Sequence, residues 1–80
     1  VAVVNISVPR RWAAPNNAIL ADVVAEYPNA VLIDWDAAVR ADPSLLAPDG
    51  VHPTAAGVRV YAQLVADGLA SLEAADAAQD

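Results

Sequence analysis

The sequence predicts a layered α/β fold with a parallel sheet. Two short segments, residues 1–8 and 30–34, are rich in β-branched residues and almost continuously apolar. That pattern is typical of strands buried on both faces of a parallel sheet. A segment with helical spacing of apolar residues separates them, and further helical segments follow. In folds that alternate strand and helix, functional sites lie beyond the carboxyl ends of the strands.

The first part of the chain predicts a strand, a loop and a helix. The strand covers residues 1–8, and a loop with two prolines covers residues 9–15. Asn16 or Asn17 is expected to cap a helix that continues to about Tyr27, because Asn is a preferred N-cap residue. The apolar residues expected to face the sheet recur at helical spacing: Ile19, Leu20, Val23 and Val24.

The second part predicts one more strand and two helices. The strand at residues 30–34 is followed by a short helix at 35–42 and a loop at 43–48. Thr54 is expected to cap a long last helix over residues 55–72. The apolar stripe of that helix consists of Val58, Tyr61, Leu64, Val65, Leu69 and Leu72.

The composition indicates a piece of a larger, well-buried domain. Of the 80 residues, 58% are hydrophobic and 18% are charged. A chain this short is marginal as an independent domain, because it buries only about 60% of its unfolded surface. The chain begins within an apolar run and contains no Met. We therefore expect residues 1–72 to be a portion of a longer domain, and the acidic, Ala-rich residues 73–80 to be a fraying tail or a linker.

Charge and cysteine content exclude several functions. The formal net charge is −6 and the basic residues are four Arg, so no basic face for nucleic acid is expected. The absence of Cys excludes disulfides and thiolate metal sites. No apolar run approaches the length of a membrane span. Asp34, Asp36, Asp49 and His52 are conceivable metal ligands, but a single His without a ligand spacing is a weak signal. No metal and no other cofactor is expected.

The most informative motif surrounds the single histidine. Asp49 precedes His52 by three residues across Gly50, and Pro53 and the cap of the last helix follow. A neutral imidazole takes a proton from a hydroxyl near pH 7, and it works best when a carboxylate fixes its tautomer and orientation. The spacing predicts that one turn holds both side chains. In the alternative, structural interpretation, Asp49 closes only an Asx turn and His52 is an ordinary polar residue before a helix.

This motif resembles the last conserved block of the SGNH (GDSL-type) hydrolases, which supplies the Asp and His of a Ser-His-Asp triad. The resemblance rests on the run Asp-Gly-Val-His-Pro-Thr-Ala-Ala-Gly before a long helix. Four upstream pieces are similar to the extracytoplasmic SGNH domain fused to membrane O-acyltransferases of envelope polysaccharides: Val-Pro-Arg-Arg-Trp, Asn16-Asn17, Tyr-Pro-Asn and Ile-Asp-Trp. The resemblance covers residues 1 to about 72. It implies a three-layer α/β/α, flavodoxin-like domain, with Asp49 and His52 as catalytic residues.

The family's nucleophile block is absent from these residues. SGNH domains carry their Ser in a Gly-Asp-Ser block, and their Gly and Asn oxyanion donors lie in two middle blocks. None of these is present, so the resemblance implies the C-terminal part of such a domain, inactive by itself. The three serines, Ser7, Ser44 and Ser71, lack the flanking glycines of a nucleophile turn. The expected partner is therefore the missing N-terminal half of the domain, in a parent protein tethered outside the cytoplasm by a membrane acyltransferase domain.

Two aromatic residues and an arginine are candidates for substrate binding. Trp12, Arg11 and Trp35 follow the two strands and are expected near the carboxyl rim. A Trp ring there would stack on a sugar, although a large aromatic more often packs in a core. The predicted function is that of a serine esterase or O-acyltransferase acting on acyl, usually acetyl, esters of envelope polysaccharide. The alternative is a non-catalytic βαβ module that binds a glycan or a partner protein.

Overall fold

The computed structural model describes residues 1–79 and has a mixed α/β architecture, as the sequence predicts. A parallel sheet of two strands pairs Ala2 with Val31 and Val4 with Ile33. The elements, in chain order, are β1 (Ala2–Val4), α1 (Ala13–Ala25), β2 (Val31–Ile33), α2 (Trp35–Ala41), a 3₁₀ turn (Pro43–Leu45) and α3 (Ala55–Gln79).

Both strands are shorter than predicted, and the reason is visible at the end of β1. The ladder closes with Asn5, whose backbone N–H donates to the Ile33 carbonyl at 3.1 Å. The next residue, Ile6, is not paired with a strand: its N–H donates to the Asn17 side-chain oxygen, and its carbonyl accepts from the Asn17 side-chain NH₂. An apolar run therefore continues past the point at which the chain has left the sheet.

Helix α1 begins earlier than predicted, and the prediction that Asn16 or Asn17 caps it is wrong. Trp12 occupies the N-cap position, and no side chain caps the helix there. Pro15 lies in the first turn, where its missing N–H leaves no helical hydrogen bond unmade. Asn17 lies within the helix, and its side-chain amide is occupied by Ile6.

The apolar face of α1 divides into a covered and an uncovered half. Leu20 and Val24 are half-buried against the rest of the molecule, as predicted. Ile19 and Val23, predicted to face the sheet, are 59% and 48% exposed. Helical spacing located the apolar side chains of α1 correctly. It did not determine which of these side chains are covered by the rest of residues 1–79.

The core lies between α2, the 3₁₀ turn and α3. Trp35, Val39 and Leu45 are buried, and Tyr61 and Leu64 of α3 pack against them. The Trp35 and Tyr61 rings meet edge to face, with centroids 5.1 Å apart and planes 69° apart. That arrangement is one of the two preferred geometries for aromatic pairs.

Helix α3 starts at Ala55, as predicted, under the Thr54 cap. The Thr54 Oγ1 accepts from the Gly57 N–H at 3.1 Å, which confirms its capping role. The helix continues to Gln79, so the prediction that it ends near residue 72 is wrong. Ala is the strongest helix former, which explains why the Ala-rich segment remains helical. Its described side chains beyond Leu72 are exposed. Within residues 1–79, no helix combines the length and apolarity needed to cross a bilayer.

A close approach between α3 and the 3₁₀ turn fixes the start of the helix. A Cβ atom on Gly57 would lie 2.0 Å from the Leu45 carbonyl oxygen, a separation that no side chain tolerates. Only glycine permits this contact, and it holds the segment before α3 against the core.

Candidate active site

The segment that carries Asp49 and His52 is a short loop closed by backbone hydrogen bonds. The Ala47 N–H donates to the His52 carbonyl at 2.8 Å, and the Thr54 N–H donates to the Leu45 carbonyl at 2.9 Å. Gly50 has a φ of +69°, a conformation that favours glycine. The loop is therefore held at its base by an antiparallel bridge and at its tip by a residue suited to the turn.

Asp49 and His52 are in direct contact, as their spacing predicts. The His52 Nδ1 lies 2.5 Å from Asp49 Oδ2. The other carboxylate oxygen, Oδ1, accepts from the backbone N–H groups of Val51 at 2.9 Å and His52 at 3.0 Å. One oxygen thus closes the Asx turn of the structural interpretation, while the other orients the imidazole. The two interpretations describe two oxygens of the same side chain.

The electrostatics of the pair define its proton positions. The hydrogen bond with the His52 side chain, followed by those from the two backbone N–H groups, lowers the pKa of Asp49 from 3.8 to about 2. Asp49 is therefore ionised at neutral pH and can only accept hydrogen bonds. Because a carboxylate only accepts, Nδ1 is the donor of this hydrogen bond, and Nε2 is the proton acceptor in the neutral form of the ring. Within residues 1–79, Nε2 has no hydrogen-bond partner, and the His52 side chain is 79% exposed.

The loop that follows β1 lies against the Asp49–His52 turn. The Pro9 ring comes within 3.3 Å of the position that a Cβ on Gly50 would occupy. The carboxyl end of β1 and the histidine loop therefore share one rim, as expected for sites in parallel α/β folds.

Two of the three candidate substrate-binding residues lie on that neighbouring loop. Trp12 is 49% exposed, and Arg11 is exposed and has no carboxylate partner within residues 1–79. Arg10 is exposed as well, and its guanidinium donates to the Pro9 carbonyl at 3.1 Å. An aromatic ring and two cations on the loop after β1 are therefore available to solvent.

Trp35 lies elsewhere. Only 5% of its surface is exposed, and it packs in the core against Tyr61 and Val39. The ring is not accessible to a sugar in this structure, and packing accounts for its presence.

No serine of residues 1–79 is hydrogen-bonded to His52. The Ser44 hydroxyl donates to Asp42 Oδ1 at 2.5 Å, at the start of the 3₁₀ turn. Ser7 is half-buried in the loop after β1, and Ser71 is exposed on α3. The pair has an orienting carboxylate and a free basic nitrogen, but no nucleophile among the described residues.

Asp34 and Asp36, the other carboxylates considered as metal ligands, are engaged in structural contacts. Asp34 caps α2 by accepting from the Ala37 N–H at 2.9 Å, and it also accepts from the Asn5 side chain at 2.8 Å. These bonds, with that from Asn5 the larger cause, lower the pKa of Asp34. Asp36 forms an ion pair with Arg40 one helical turn away. Within residues 1–79, no group of three or more His, Asp or Glu side chains is arranged to hold a metal ion.

Two asparagines have roles that the sequence did not predict. Asn5 is 8% exposed; besides its bond to Asp34, it accepts from the Asp36 N–H at 2.9 Å and so joins the ends of the two strands. A polar residue inside an apolar strand was the available signal for it. Asn17 joins α1 to the loop after β1, and its position in the sequence indicated a cap instead.

No family model matches this chain, but comparison with known proteins finds relatives. The chain is 37% identical over 62 residues to the peptidoglycan O-acetyltransferase OatA of Listeria monocytogenes, an alignment that covers 78% of this chain and 10% of that protein. It is 42% identical over 55 residues to proteins of Staphylococcus aureus strains MSSA476 and MW2, each named "Putative O-acetyltransferase". Those alignments cover 69% of this chain and 9% of each relative. The chain thus spans about a tenth of the length of these relatives.

Proposed function

We propose that this chain is the C-terminal part of an SGNH-type serine esterase or O-acyltransferase domain. The observation that carries the proposal is the contact between Asp49 Oδ2 and His52 Nδ1, which leaves Nε2 as an exposed base. The similarity to named O-acetyltransferases supports acyl transfer as the reaction.

In this proposal His52 acts first as a base and then as an acid. Its Nε2 takes the proton from a serine hydroxyl supplied by the N-terminal half of the domain, and the serine oxygen attacks the acyl carbonyl. The imidazolium then gives the proton to the leaving alcohol oxygen as the acyl-enzyme forms. Water or a sugar hydroxyl attacks the acyl-enzyme by the same route. Asp49 keeps Nδ1 protonated and stabilises the imidazolium that forms in each step.

The exposure of apolar surface supports a missing half. A compact monomer of this mass exposes about 4,500 Å², whereas this chain exposes 5338 Å². No large side chain among residues 1–79 is fully buried, although 58% of the residues are hydrophobic. The sheet has only two strands, which leaves the outer edge of each strand unpaired. We propose that the upstream half of the domain, which carries the serine, covers this surface.

The substrate is proposed to be an acyl ester of a cell-wall or envelope polysaccharide. The name of the Listeria relative specifies peptidoglycan as the acceptor of its acetyl groups. The exposed Trp12 and Arg11 on the loop after β1 are suited to a sugar ring and an anionic group, respectively. We place the parent protein, meaning the longer protein that contains this chain, outside the cytoplasm and attached to the membrane by a separate domain.

A complementation experiment tests the proposal. The chain is co-expressed with the N-terminal half of the parent protein, and hydrolysis of a chromogenic acetyl ester is measured against the same pair carrying His52→Ala. We expect the wild-type pair to hydrolyse the ester. The chain without its N-terminal half should show no hydrolysis above the His52→Ala control. Equal activity of the wild-type and His52→Ala pairs would refute the assignment.

The exposed Trp12 keeps one other function open, that of a glycan-binding module without catalysis. Polysaccharide binding that survives His52→Ala and is lost in Trp12→Ala, in a parent protein without esterase activity, would favour that function.

A further inference from the structure

We propose that Asn17 is a positioning residue for the Asp49–His52 pair, acting on it through Ile6 and Pro9. The inference rests on the proposed function, because it assigns a role to Asn17 in that same reaction. Asn17 lies on α1 and does not touch either member of the pair.

The first link joins Asn17 to the chain that leaves β1. The Asn17 side chain donates from Nδ2 to the Ile6 carbonyl at 2.7 Å and accepts at Oδ1 from the Ile6 N–H at 2.8 Å. Ile6 lies beyond the paired residues of β1 and so has no strand partner for these groups. A backbone donor and acceptor that are half-buried need partners, and one amide supplies both. Asn17 therefore fixes the direction in which the loop leaves the sheet.

The second link joins that loop to the turn. Pro9 follows Ile6 by three residues, and its Cγ and Cδ atoms lie 3.3 and 3.4 Å from the Cβ position of Gly50. Gly50 is the residue between Asp49 and Val51, and its positive φ sets the path of the turn. The proline ring is rigid, so a displaced loop would either release the turn or press on it. The position of the imidazole thus depends on the position of Ile6.

The chemistry requires an asparagine at this point. A side chain that grips both backbone groups of one residue needs a donor and an acceptor on a short stem, and Asn provides both. Its neighbour Asn16 has the same side chain, is exposed, and makes no side-chain hydrogen bond within residues 1–79. Asn16 is therefore a matched control on the same helix.

The test measures kcat and KM of the full-length parent protein with a chromogenic acetyl ester. The variants are Asn17→Ala, Pro9→Ala and Asn16→Ala, each alone and combined with Asp49→Ala. We expect Asn17→Ala and Pro9→Ala to lower kcat by about 10-fold to 100-fold, since small displacements at a reacting group cost that much. KM for this small ester should stay within about twofold, because the ester lacks the sugar that Trp12 and Arg11 on the same loop are proposed to contact. Asn16→Ala should leave both constants unchanged.

The combined variants separate positioning from general stability. If Asn17 acts only by orienting the pair, Asn17→Ala causes no further loss of kcat once Asp49 is absent, because contributions to a shared interaction are not additive. A loss by the same factor in both backgrounds would overturn the inference, as would an unchanged kcat in Asn17→Ala. If Asn17→Ala does not fold, Pro9→Ala decides by the same criteria. A parent protein unaffected by Asp49→Ala would instead overturn the proposed function, which distinguishes the two failures.

Discussion

The His52 Nδ1 and Asp49 Oδ2 atoms lie 2.5 Å apart, within a turn that the second oxygen of the same carboxylate closes. The four residues 49–52 therefore contain the carboxylate that orients the ring, the ring itself, and the backbone N–H groups that hold the carboxylate. The contact between the two side chains is anchored locally by the Ala47–His52 and Leu45–Thr54 backbone hydrogen bonds.

Removing either member of the pair should abolish ester hydrolysis by the parent protein. We expect His52→Ala to lower kcat by about 10⁶-fold and Asp49→Asn by about 10⁴-fold, as for other triads that act as a unit. The measurement is steady-state hydrolysis of an acetyl ester, and Asn16→Ala serves as the unaffected control. Near wild-type rates in His52→Ala would exclude a role for the pair in catalysis.

The Asp49 carboxyl should titrate well below its usual range. Its pKa of about 2 lies below the value of 3.8 for an unperturbed Asp, chiefly because of the His52 side chain. The interaction therefore stabilises the fold above about pH 3.8, and that contribution is lost as pH falls toward 2. In His52→Ala the pKa should rise toward 3.8 but remain below it, because the backbone N–H donors are retained.

The measurement for this prediction is a pH titration of the Asp49 ¹³Cγ signal in the parent protein, assigned with Asp49→Asn. Trp12→Ala is the control, since Trp12 makes no hydrogen bond to the carboxylate. An Asp49 midpoint that does not move in His52→Ala would contradict the geometry of the pair.

Gly57→Ala should destabilise the parent domain. The added Cβ would meet the Leu45 carbonyl oxygen at 2.0 Å, and backbone on both sides prevents an easy shift. We expect a loss of about 2 kcal/mol or more in the free energy of unfolding, even though Ala favours a helix by about 1 kcal/mol over Gly.

Gly68→Ala, in the same helix, is the matched control for Gly57→Ala. Its Cβ would meet the ends of the Ile33 side chain at 3.1 Å, and those atoms can move by a few tenths of an ångström. Thermal unfolding should therefore change much less than for Gly57→Ala. Equal melting temperatures for the two variants would show that the contact at Leu45 is not a tight one.

The two tryptophans should separate substrate binding from stability. Trp12→Ala should raise KM for a polysaccharide substrate by about twofold to tenfold without changing stability, since an aromatic contact is worth about 0.5–1.5 kcal/mol. Trp35→Ala should cost about 3–5 kcal/mol of stability, because it empties the core beside Tyr61. Calorimetry of both variants measures stability, and their KM values for the polysaccharide measure substrate binding. An unchanged KM in Trp12→Ala would contradict the proposed contact between Trp12 and the sugar.

The 80-residue chain by itself should not unfold cooperatively. Ile19 and Val23 on α1 and Val58 on α3 are 59%, 48% and 56% exposed, and the sheet edges are unpaired. We expect aggregation or a molten state that binds a hydrophobic dye. Thermal denaturation followed by circular dichroism is the measurement, with the complemented pair as the folded control. A monomeric sample with a sharp transition would contradict this.

Much of the structure followed from local sequence. The α/β class came from two short β-branched runs, and the Thr54 cap and the contact between Asp49 and His52 came from spacing alone. Each of these depends on residues within a few positions of one another, so local chemistry specifies them. Asp49 reaches His52 because the two are three positions apart in sequence and Gly50 between them allows the turn.

Tertiary contacts decided the rest. The end of β1 and the role of Asn17 depend on hydrogen bonds between two residues 11 positions apart, which no periodicity in the sequence reveals. Trp12 and Trp35 both follow strands, yet only packing against Tyr61 placed one of them in the core. The sequence by itself determined the paired base and carboxylate, because their contact is local. Only the tertiary structure decided what surrounds them, because burial and long-range hydrogen bonds depend on where distant segments meet.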